Sequence, residues 1–535
     1  MSQMRIGIDF DNTLACYDKV FEAIAKKMFL VSVDWQGDKT QVRAELRTRQ
    51  NGERDWQRLQ GQVYGKYMHL ANLFPEVSNF LLRLRAREYE VFIVSHKTEY
   101  GHHDSEKISL RKEALSWMRM HKFFDPKGFG LHESNVFFEN TREEKVKKIS
   151  DLRCDYFIDD LWEVFASSDF PIETRKILFD SSLNNGNQEM WDFRSRSWRE
   201  VADHVLGEET EAELRAQVEF VFGEGVESVT QVEGRANSKV VKVDKDKKQY
   251  AVKFYPDINY DFRKRLNTER RACEFLDSEG VVNTMKFVRE KPDLNVGVYN
   301  WIDGSKVGEV LDNDVELALN FVERLYESRA YEKAVDLPNA SECCLREGDI
   351  WSQLTKKREK LNAALPYSNE LRNFLVDEYD PLVVRVRDKL ANLFPDRDCS
   401  SKISRSMQTL SPSDFGFHNA IRQSDGSLVW IDLEYFGWDD PVKLIADFIW
   451  HPGFTLSEKQ VLRWKAQSFQ IFSNDQGLES RFEQRFFLYG LRWCLIILNI
   501  FLRAENDLQV MRFQRLEKSR WYASRIKKCV RNWDI

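Results

Sequence analysis

Paired cysteines are missing from this chain. None of its eight cysteines sits in a CxxC pair, and only Cys343 and Cys344 are neighbours. That argues against a zinc site or disulfide framework and for reduced thiols in a cytosolic protein. Excess positive charge is missing too. With a net charge of −6 over 535 residues, no global basic field is available to hold a nucleic-acid backbone. No GxxxxGK[ST] loop occurs, so a Walker-type nucleotide site is excluded. The opening MSQMRIGIDFDNTL lacks the continuous apolar core of a signal peptide. The most apolar stretch, Phe486–Leu502, is short for a spanning helix and contains Arg492 and Asn499; it reads as a buried core helix. There is no internal repeat and no low-complexity tract. The expectation is a cytoplasmic protein with neither a membrane nor a nucleic-acid partner.

What is present is alternation. Apolar runs at Arg5–Phe10, Val91–Val94, Asn135–Phe138, Tyr156–Ile158 and Lys176–Phe179 read as strands, with helical patterns between them such as Val77–Arg87 and Ser105–Arg119. Strands alternating with helices predict a parallel sheet with crossover helices. The segment from Leu183 to Gln188 reads as a loop. From Val226 to Tyr255 the chain turns strand-rich, and VVKVDKDKKQYAVKFY predicts two strands joined by a charged turn. After Asn267 the pattern is mostly helical, interrupted by a strand pair near Ile421–Leu433. A boundary near residue 210 separates an expected domain over 1–205 from one over 215–535.

The sequence Ile6-Gly7-Ile8-Asp9-Phe10-Asp11-Asn12-Thr13 delivers two aspartates from the carboxyl end of an apolar strand, where open α/β sheets place their sites. Alternation puts Asp9 and Asp11 on one side of the chain. Two such carboxylates can divide the work of phosphoester hydrolysis: one attacks phosphorus, the other protonates the leaving oxygen and then activates water. Asp159 and Asp160, at the end of Tyr156-Phe157-Ile158, can help hold Mg²⁺. Ser95, closing Val91–Val94, offers a hydroxyl. Lys145 offers the ammonium of a phosphate cradle, with Lys148 as the alternative. His96, His102 and His103 follow Ser95 and read as a solvated loop, with substrate contact as the other reading; His102-His103-Asp104 is only a weak metal motif.

Over about residues 4–180 these elements resemble the four motifs of the haloacid dehalogenase-like phosphatase superfamily: DFDNT, VFIVS, Lys145 and FIDD. The resemblance implies a Rossmann-like α/β domain with a small cap between Thr13 and Val91. It implies Asp9 as nucleophile and Asp11 as acid/base, with Thr13, Ser95 and Lys145 around the phosphate. Mg²⁺ would be held by the Asp9 side chain, the Asp11 main-chain carbonyl and the Asp159-Asp160 pair.

The second half carries another ordered set. Lys253 sits on the apolar strand Ala251–Tyr255, where it needs a partner or an anionic ligand. Glu269 follows in a helical segment. Asp414 and Asn419 lie five apart in Ser413-Asp414-Phe415-Gly416-Phe417-His418-Asn419, and Asp432 sits in Ile431-Asp432-Leu433-Glu434. Kinase chemistry uses such a set: a lysine on the ATP phosphates, a helix glutamate, an aspartate at the acceptor hydroxyl, and an Asn and an Asp on Mg²⁺.

Over about residues 220–510 the chain resembles aminoglycoside phosphotransferases and choline kinases, an α+β bilobal protein-kinase-like fold. Gly437, Asp440-Pro441 and Asp447 extend the match. The resemblance implies Asp414 as the catalytic base, Asn419 and Asp432 as Mg²⁺ ligands, and Lys253 with Glu269 on ATP. Val298–Ile302, with Tyr299 and Trp301, would contact adenine, with Gly304 after it, and Gly234-Arg235-Ala236-Asn237 would be the phosphate loop, here with a single glycine. One departure is Pro412, where the family often has a histidine two positions before the aspartate.

The expected activity is bifunctional: a Mg²⁺-dependent phosphatase joined to an ATP-dependent kinase of a small hydroxylated metabolite such as a sugar, amino sugar or amino alcohol. Glu434, Tyr435 and Asp439 are candidates to receive a hydroxylated or cationic acceptor. The alternatives are a phosphatase carrying a kinase-like binding module, and a nucleic-acid end-processing kinase–phosphatase, which the missing Walker loop and the acidic net charge disfavour.

Overall fold

The computed structural model describes residues 3–104, 106–180, 190–232, 238–256, 263–503 and 508–533. The chain divides into two compact units, Met1–Phe262 with Arg289–Val298, and Arg263–Val288 with Tyr299–Ile535. The first unit thus continues beyond the boundary near residue 210 that the sequence pattern indicates.

In the first unit, β1 (Arg5–Ile8), β2 (Glu90–His96), β3 (Val136–Glu139), β4 (Tyr156–Asp159), β5 (Arg175–Phe179) and β6 (Phe193–Ser195) form one sheet in the order β3-β2-β1-β4-β5-β6. Every pairing in it is parallel, as the alternation predicts. Ile6 and Ile8 are fully buried. Between them Gly7 lies so close to β4 that a Cβ would stand 2.4 Å from the Phe157 ring. β1 ends at Ile8 rather than Phe10, which leaves Asp9 and Asp11 on the turn beyond the strand. Asn12 completes that turn with φ +61°.

The segment between β1 and β2 holds α1 (Asp18–Lys27), α2 (Lys39–Arg47) and α3 (Gly52–Tyr64), followed by α4 (Val77–Ala86). The first three form a helical insertion, entered and left through Ala15–Cys16 and Asn72–Leu73, which pair antiparallel. Its core includes Phe21 stacked on Trp56 at 5.1 Å. Then come α5 (Leu110–Met120) and α6 (Arg142–Leu152). α5 begins later than the sequence pattern indicates because the Ser109 side chain caps it, accepting from the Lys112 N–H. The expected start at Ser105 and the expected loop at 183–188 lie outside the described residues.

α7 (Trp198–Leu206) and α8 (Glu211–Phe222) complete this layer. α8 is tied to α4 by a buried charge cluster. Glu213, with no exposed side-chain surface, takes the Arg83 guanidinium at 3.2 Å and that of Arg87, and also the Thr210 N–H. The two arginines outweigh burial and hold Glu213 below its ordinary pKa. The stability it contributes is therefore present above the ordinary glutamate value and lost as pH falls through the lowered one. Glu213→Ala leaves buried guanidinium charge uncompensated. It is expected to cost about 3–5 kcal/mol in urea unfolding, where exposed pairs cost far less.

Beyond α8, β7 (Val226–Val232), β8 (Lys239–Lys245), β9 (Lys248–Phe254), β10 (Phe287–Lys291) and β11 (Val296–Asn300) form a five-stranded sheet in the order β10-β11-β9-β8-β7. β8 and β9 are the predicted hairpin. Its turn residues Asp246 and Lys247 have φ of +52° and +60°, the twist a two-residue turn requires.

The second unit is mostly helical, as expected after Asn267. Its elements include α9 (Arg265–Ser278), β12 (Ser305–Lys306), α10 (Asp312–Ser328), β13 (Thr409–Ser411), β14 (Ala420–Arg422), β15 (Leu428–Trp430), β16 (Gly437–Asp439), α11 (Pro441–Trp450), α12 (Glu458–Ile471), α13 (Leu478–Ile497) and α14 (Gln509–Asn532). β14 and β15 are the predicted strand pair. The stretch Leu478–Leu502 is long and apolar enough to cross a membrane, but 72% of its most apolar window is buried inside the protein. Arg492 within it meets Asp447 of α11. Among the described residues no disulfide is formed.

Candidate active sites

At the carboxyl end of the parallel sheet, three of the four sequence elements converge on one ammonium. Lys145, carried by α6, lies 2.6 Å from Asp9 Oδ1 and 2.6 Å from Asp159 Oδ2, and all three side chains are buried. Thr13 Oγ1 stands 3.5 Å from Asp9 Oδ2, and Ser95 is buried at the end of β2. The carboxylates of Asp9, Asp159 and Asp160 approach within 4.8 Å of one another. Burial lifts Asp159 to about 6, with Lys145 opposing and Asp9 adding to the rise, and burial with Asp9 and Asp159 lifts Asp160 well above the usual range. Such crowding of hard oxygen donors is what a bound dication relieves, so the residues present fit Mg²⁺. Lys145 itself is raised, because the two aspartates outweigh its burial.

Asp11 points elsewhere. Its two oxygens lie 2.9 and 2.7 Å from the buried ammonium of Lys97, and the Tyr17 hydroxyl donates to it. The nucleophile candidate and the acid/base candidate thus have separate lysines, an arrangement not visible in the motif alone. The alternation rule could have found Lys97, since it stands two residues after Ser95 on the same side of the chain. A second residue missed in the sequence is Lys39, at the start of α2. Its ammonium lies 5.8 Å from the ring centroid of Tyr64 of α3. Burial lowers Lys39, and Tyr64, Asp160 and Asp11 outweigh it. The helical insertion therefore places a cation beside the turn that carries Asp11 and Asn12. The alternative lysine, Lys148, lies 4.0 Å from Glu139, away from this cluster. His96 Nε2 contacts the Asn140 carbonyl, while His102 and His103 are exposed and Asp104 takes the N–H groups of Glu106 and Ile108. No metal cluster forms there among the described residues.

In the second unit, Asn419 Nδ2 donates to the Asp414 carbonyl at 2.9 Å, which leaves its Oδ1 for a cation and fixes the loop between them. The Ile431 N–H binds the Asn419 carbonyl at 2.9 Å and brings Asp432 alongside. Asp432 is not on a strand as the pattern indicates; β15 stops at Trp430, and Asp432 adopts φ +64°. Its carboxylate lies within 4.8 Å of those of Glu269 and Glu434. Glu269 is fully buried and accepts the Leu433 N–H at 2.6 Å.

The Asp414 side chain keeps about a third of its surface open and is held by two histidines. His451 Nδ1 accepts the Gly453 N–H at 2.9 Å, so its proton is on Nε2, which donates to Asp414 Oδ1 at 3.2 Å. His418 Nε2 stands 3.4 Å from the same oxygen, and the two imidazoles stack at 3.9 Å. Burial pushes the Asp414 carboxyl up, but these histidines prevail and hold it well below the usual range. Burial lowers His451. The loop needs no histidine at Pro412. Ser413, at φ +67°, is held by the Ser411 hydroxyl, the Ser341 carbonyl and the Lys443 ammonium instead.

Two acceptor-site candidates are corrected. Glu434 is buried against Arg265, and Asp439 is buried 2.9 Å from Lys443. Their charges are already matched, so neither is placed to receive a cationic acceptor. Tyr435 lies under the guanidinium groups of Arg263 and Arg265. Asp447 meets Arg492 and Trp493, and Asp440 caps α11. Lys253 is buried on β9, 5.0 Å from the Tyr255 ring centroid. Tyr299 is buried at the end of β11, and Trp301 Nε1 donates to Asp303. Gly304 has φ +150°, and a Cβ there would meet the Arg422 carbonyl at 2.4 Å. Gly234 and Asn237, with the rest of the expected phosphate loop, lie outside the described residues.

No protein-family model and no curated protein sequence matches the chain. Among solved structures it is similar in part to a choline kinase from Streptococcus pneumoniae, at 16% identity over 59% of this chain and 100% of that one, with a TM-score of 0.41. It is also similar to an ethanolamine kinase from Plasmodium vivax, at 15% identity over 63% and 96%, TM-score 0.41. A third likeness is to an ADP-bound aminoglycoside phosphotransferase, at 13% identity over 59% and 99%, TM-score 0.38. At these identities and scores the likenesses are partial, and the chemistry of each site is read from its own residues.

Proposed function

We propose that the chain is a bifunctional phosphoryl-transfer enzyme, pairing a Mg²⁺-dependent phosphatase of the haloacid dehalogenase-like kind with an ATP-dependent kinase of a small hydroxylated metabolite. The observation that carries the phosphatase is Lys145 bridging Asp9 and Asp159 at 2.6 Å each on the carboxyl edge of a parallel sheet. Asp9 attacks phosphorus and the ester oxygen leaves with the proton of Asp11. Asp11 then takes a proton from water as that water opens the aspartyl-phosphate. Lys97 and Tyr17 orient Asp11, and Lys145, 2.6 Å from Asp9 Oδ1, orients Asp9. Asp9, the Asp11 carbonyl and the Asp159-Asp160 pair would hold Mg²⁺, which would supply charge neutralisation at the phosphate.

The kinase reading is supported by the Asp414–Asn419 hydrogen bond and by Asp432 beside it. Asp414 takes the acceptor's hydroxyl proton, Asn419 and Asp432 would hold Mg²⁺, and Lys253, Glu269, Tyr299 and Trp301 would serve ATP. The matched charges of Glu434 and Asp439 favour an uncharged polyol over a cationic acceptor. A kinase and a phosphatase acting on one ester would only hydrolyse ATP, so the two sites act on different positions of one metabolite or on successive intermediates.

The test is a paired assay with Mg²⁺. Phosphate release from a panel of phosphoesters, and ATP consumption with sugars, amino alcohols and nucleosides, are measured for wild type, Asp9→Asn and Asp414→Asn. Each substitution is expected to remove one activity and spare the other. A wild type that consumes no ATP with any acceptor would instead make the second half a binding module.

A further inference from the structure

We propose that the outer face of α14 docks this protein on an anionic lipid bilayer. The net charge of −6 conceals a local reversal. Of the 24 residues of α14, eight are Lys or Arg and one, Glu517, is acidic. The helix is fixed by its inner face, where Leu516, Ser519, Ile526 and Val530 are buried at helical spacing against the second unit. Its outer face is therefore preformed and needs no ordering on binding.

That outer face is unusual in what it exposes. Val510, Phe513 and Trp521 are each more than half exposed. At 100° per residue they fall on one side of the helix, together with Lys527, Lys528 and Arg531, which are also exposed. Along the axis Val510, Phe513 and Trp521 precede Lys527, Lys528 and Arg531, with Arg520 between them, over about 30 Å at 1.5 Å per residue. Glu517 falls within the stripe but is paired with Arg520 at 2.8 Å. The guanidinium of Arg525 lies 5.7 Å from the Trp521 ring.

Apolar side chains that enter the acyl boundary, next to cations that reach lipid phosphates, are what an interfacial helix uses. Trp is favoured at that depth because its ring is apolar and its N–H is polar. Exposed aliphatic Val510 offers a nucleic acid nothing to stack on, whereas the acyl boundary of a bilayer takes it. An acidic chain also approaches a flat anionic surface best through one oriented basic face.

The experiment is sedimentation of the full chain with sucrose-loaded vesicles of phosphatidylcholine, with and without phosphatidylglycerol. Wild type is expected to bind only the anionic vesicles and to be released by salt. The triple variant Lys527→Glu, Lys528→Glu, Arg531→Glu is expected to lower the partition constant roughly a hundredfold, from about 1 kcal/mol for each cation near the surface. Phe513→Ser with Trp521→Ser is expected to lower it about tenfold. All five positions are on the surface and outside both candidate sites, and circular dichroism verifies that the variants fold. Absence of wild-type binding, or equal binding by the charge variant, overturns the proposal. So does binding of single-stranded RNA without vesicle binding, which would make the face a nucleic-acid surface.

Discussion

Asp9→Asn is expected to reduce phosphate release by about 10⁴-fold or more, below what the remaining site residues can restore, while ATP consumption is unchanged. The magnitude follows from what the amide cannot do. It keeps the shape of the carboxylate but supplies neither a nucleophilic oxygen nor a negative charge for Lys145, which then answers only to Asp159. Binding of an ester phosphate should survive, because removing one carboxylate lessens repulsion of the anion. The expected signature is thus loss of kcat with KM unchanged or lower. Asp11→Asn is expected to differ in kind. It should retain attack by Asp9 on esters whose leaving oxygen needs no proton, seen as a burst of leaving group followed by slowed opening of the aspartyl-phosphate, and should fail at the first step with poor leaving groups such as alkoxides. A variant series measured on aryl and alkyl phosphates separates the two roles. If Asp9→Asn hydrolyses both as wild type does, Asp9 is not the nucleophile.

Much of the first site was legible because its signals are local. A short apolar strand ending in two aspartates, and a second strand ending in Asp159, place their carboxylates at one sheet edge once the sheet is parallel. Lys145 was legible from its place before that strand. The partition of the two lysines was not, since nothing local tells whether Lys145 or Lys97 meets Asp11. In the second unit the Asp414–Asn419 spacing was legible as a motif. The ion pairs of Glu434 and Asp439 were not, because their partners Arg265 and Lys443 are set by how α9 and α11 pack. Asp432 read as a strand residue because its apolar neighbours alternate; the left-handed turn that ends the strand overrode that alternation. Glu213 lies in a charged stretch of sequence, and only packing on α4 buries it between two arginines. In each case the residue type was visible and the partner was not, because partners distant in sequence are chosen by tertiary packing.

His451 is the clearest instance, and it carries the second large effect. It stands 37 positions after Asp414, beyond α11, in a stretch with no motif, yet its Nε2–H reaches the carboxylate that the proposed kinase chemistry requires. Asp414→Asn is expected to lower ATP-dependent phosphorylation by about 10³–10⁴-fold, with KM for ATP unchanged, since in the proposed reaction the carboxylate meets the acceptor hydroxyl and not the nucleotide. His451→Ala is expected to cost less, about 10–100-fold in kcat, because the base persists but loses the donor that fixes its rotamer. His451→Gln, which can present an amide N–H toward Asp414, should recover part of that loss, and a variant damaged only in folding would not be rescued this way. His418→Ala tests whether the stacked partner matters beyond holding the His451 ring. The double variant Asp414→Asn with His451→Ala should be no worse than Asp414→Asn alone, because a positioning residue has nothing to position once the carboxylate is gone. Additive losses in that cycle would show His451 acting independently of Asp414, and would move it from the base to another part of the site.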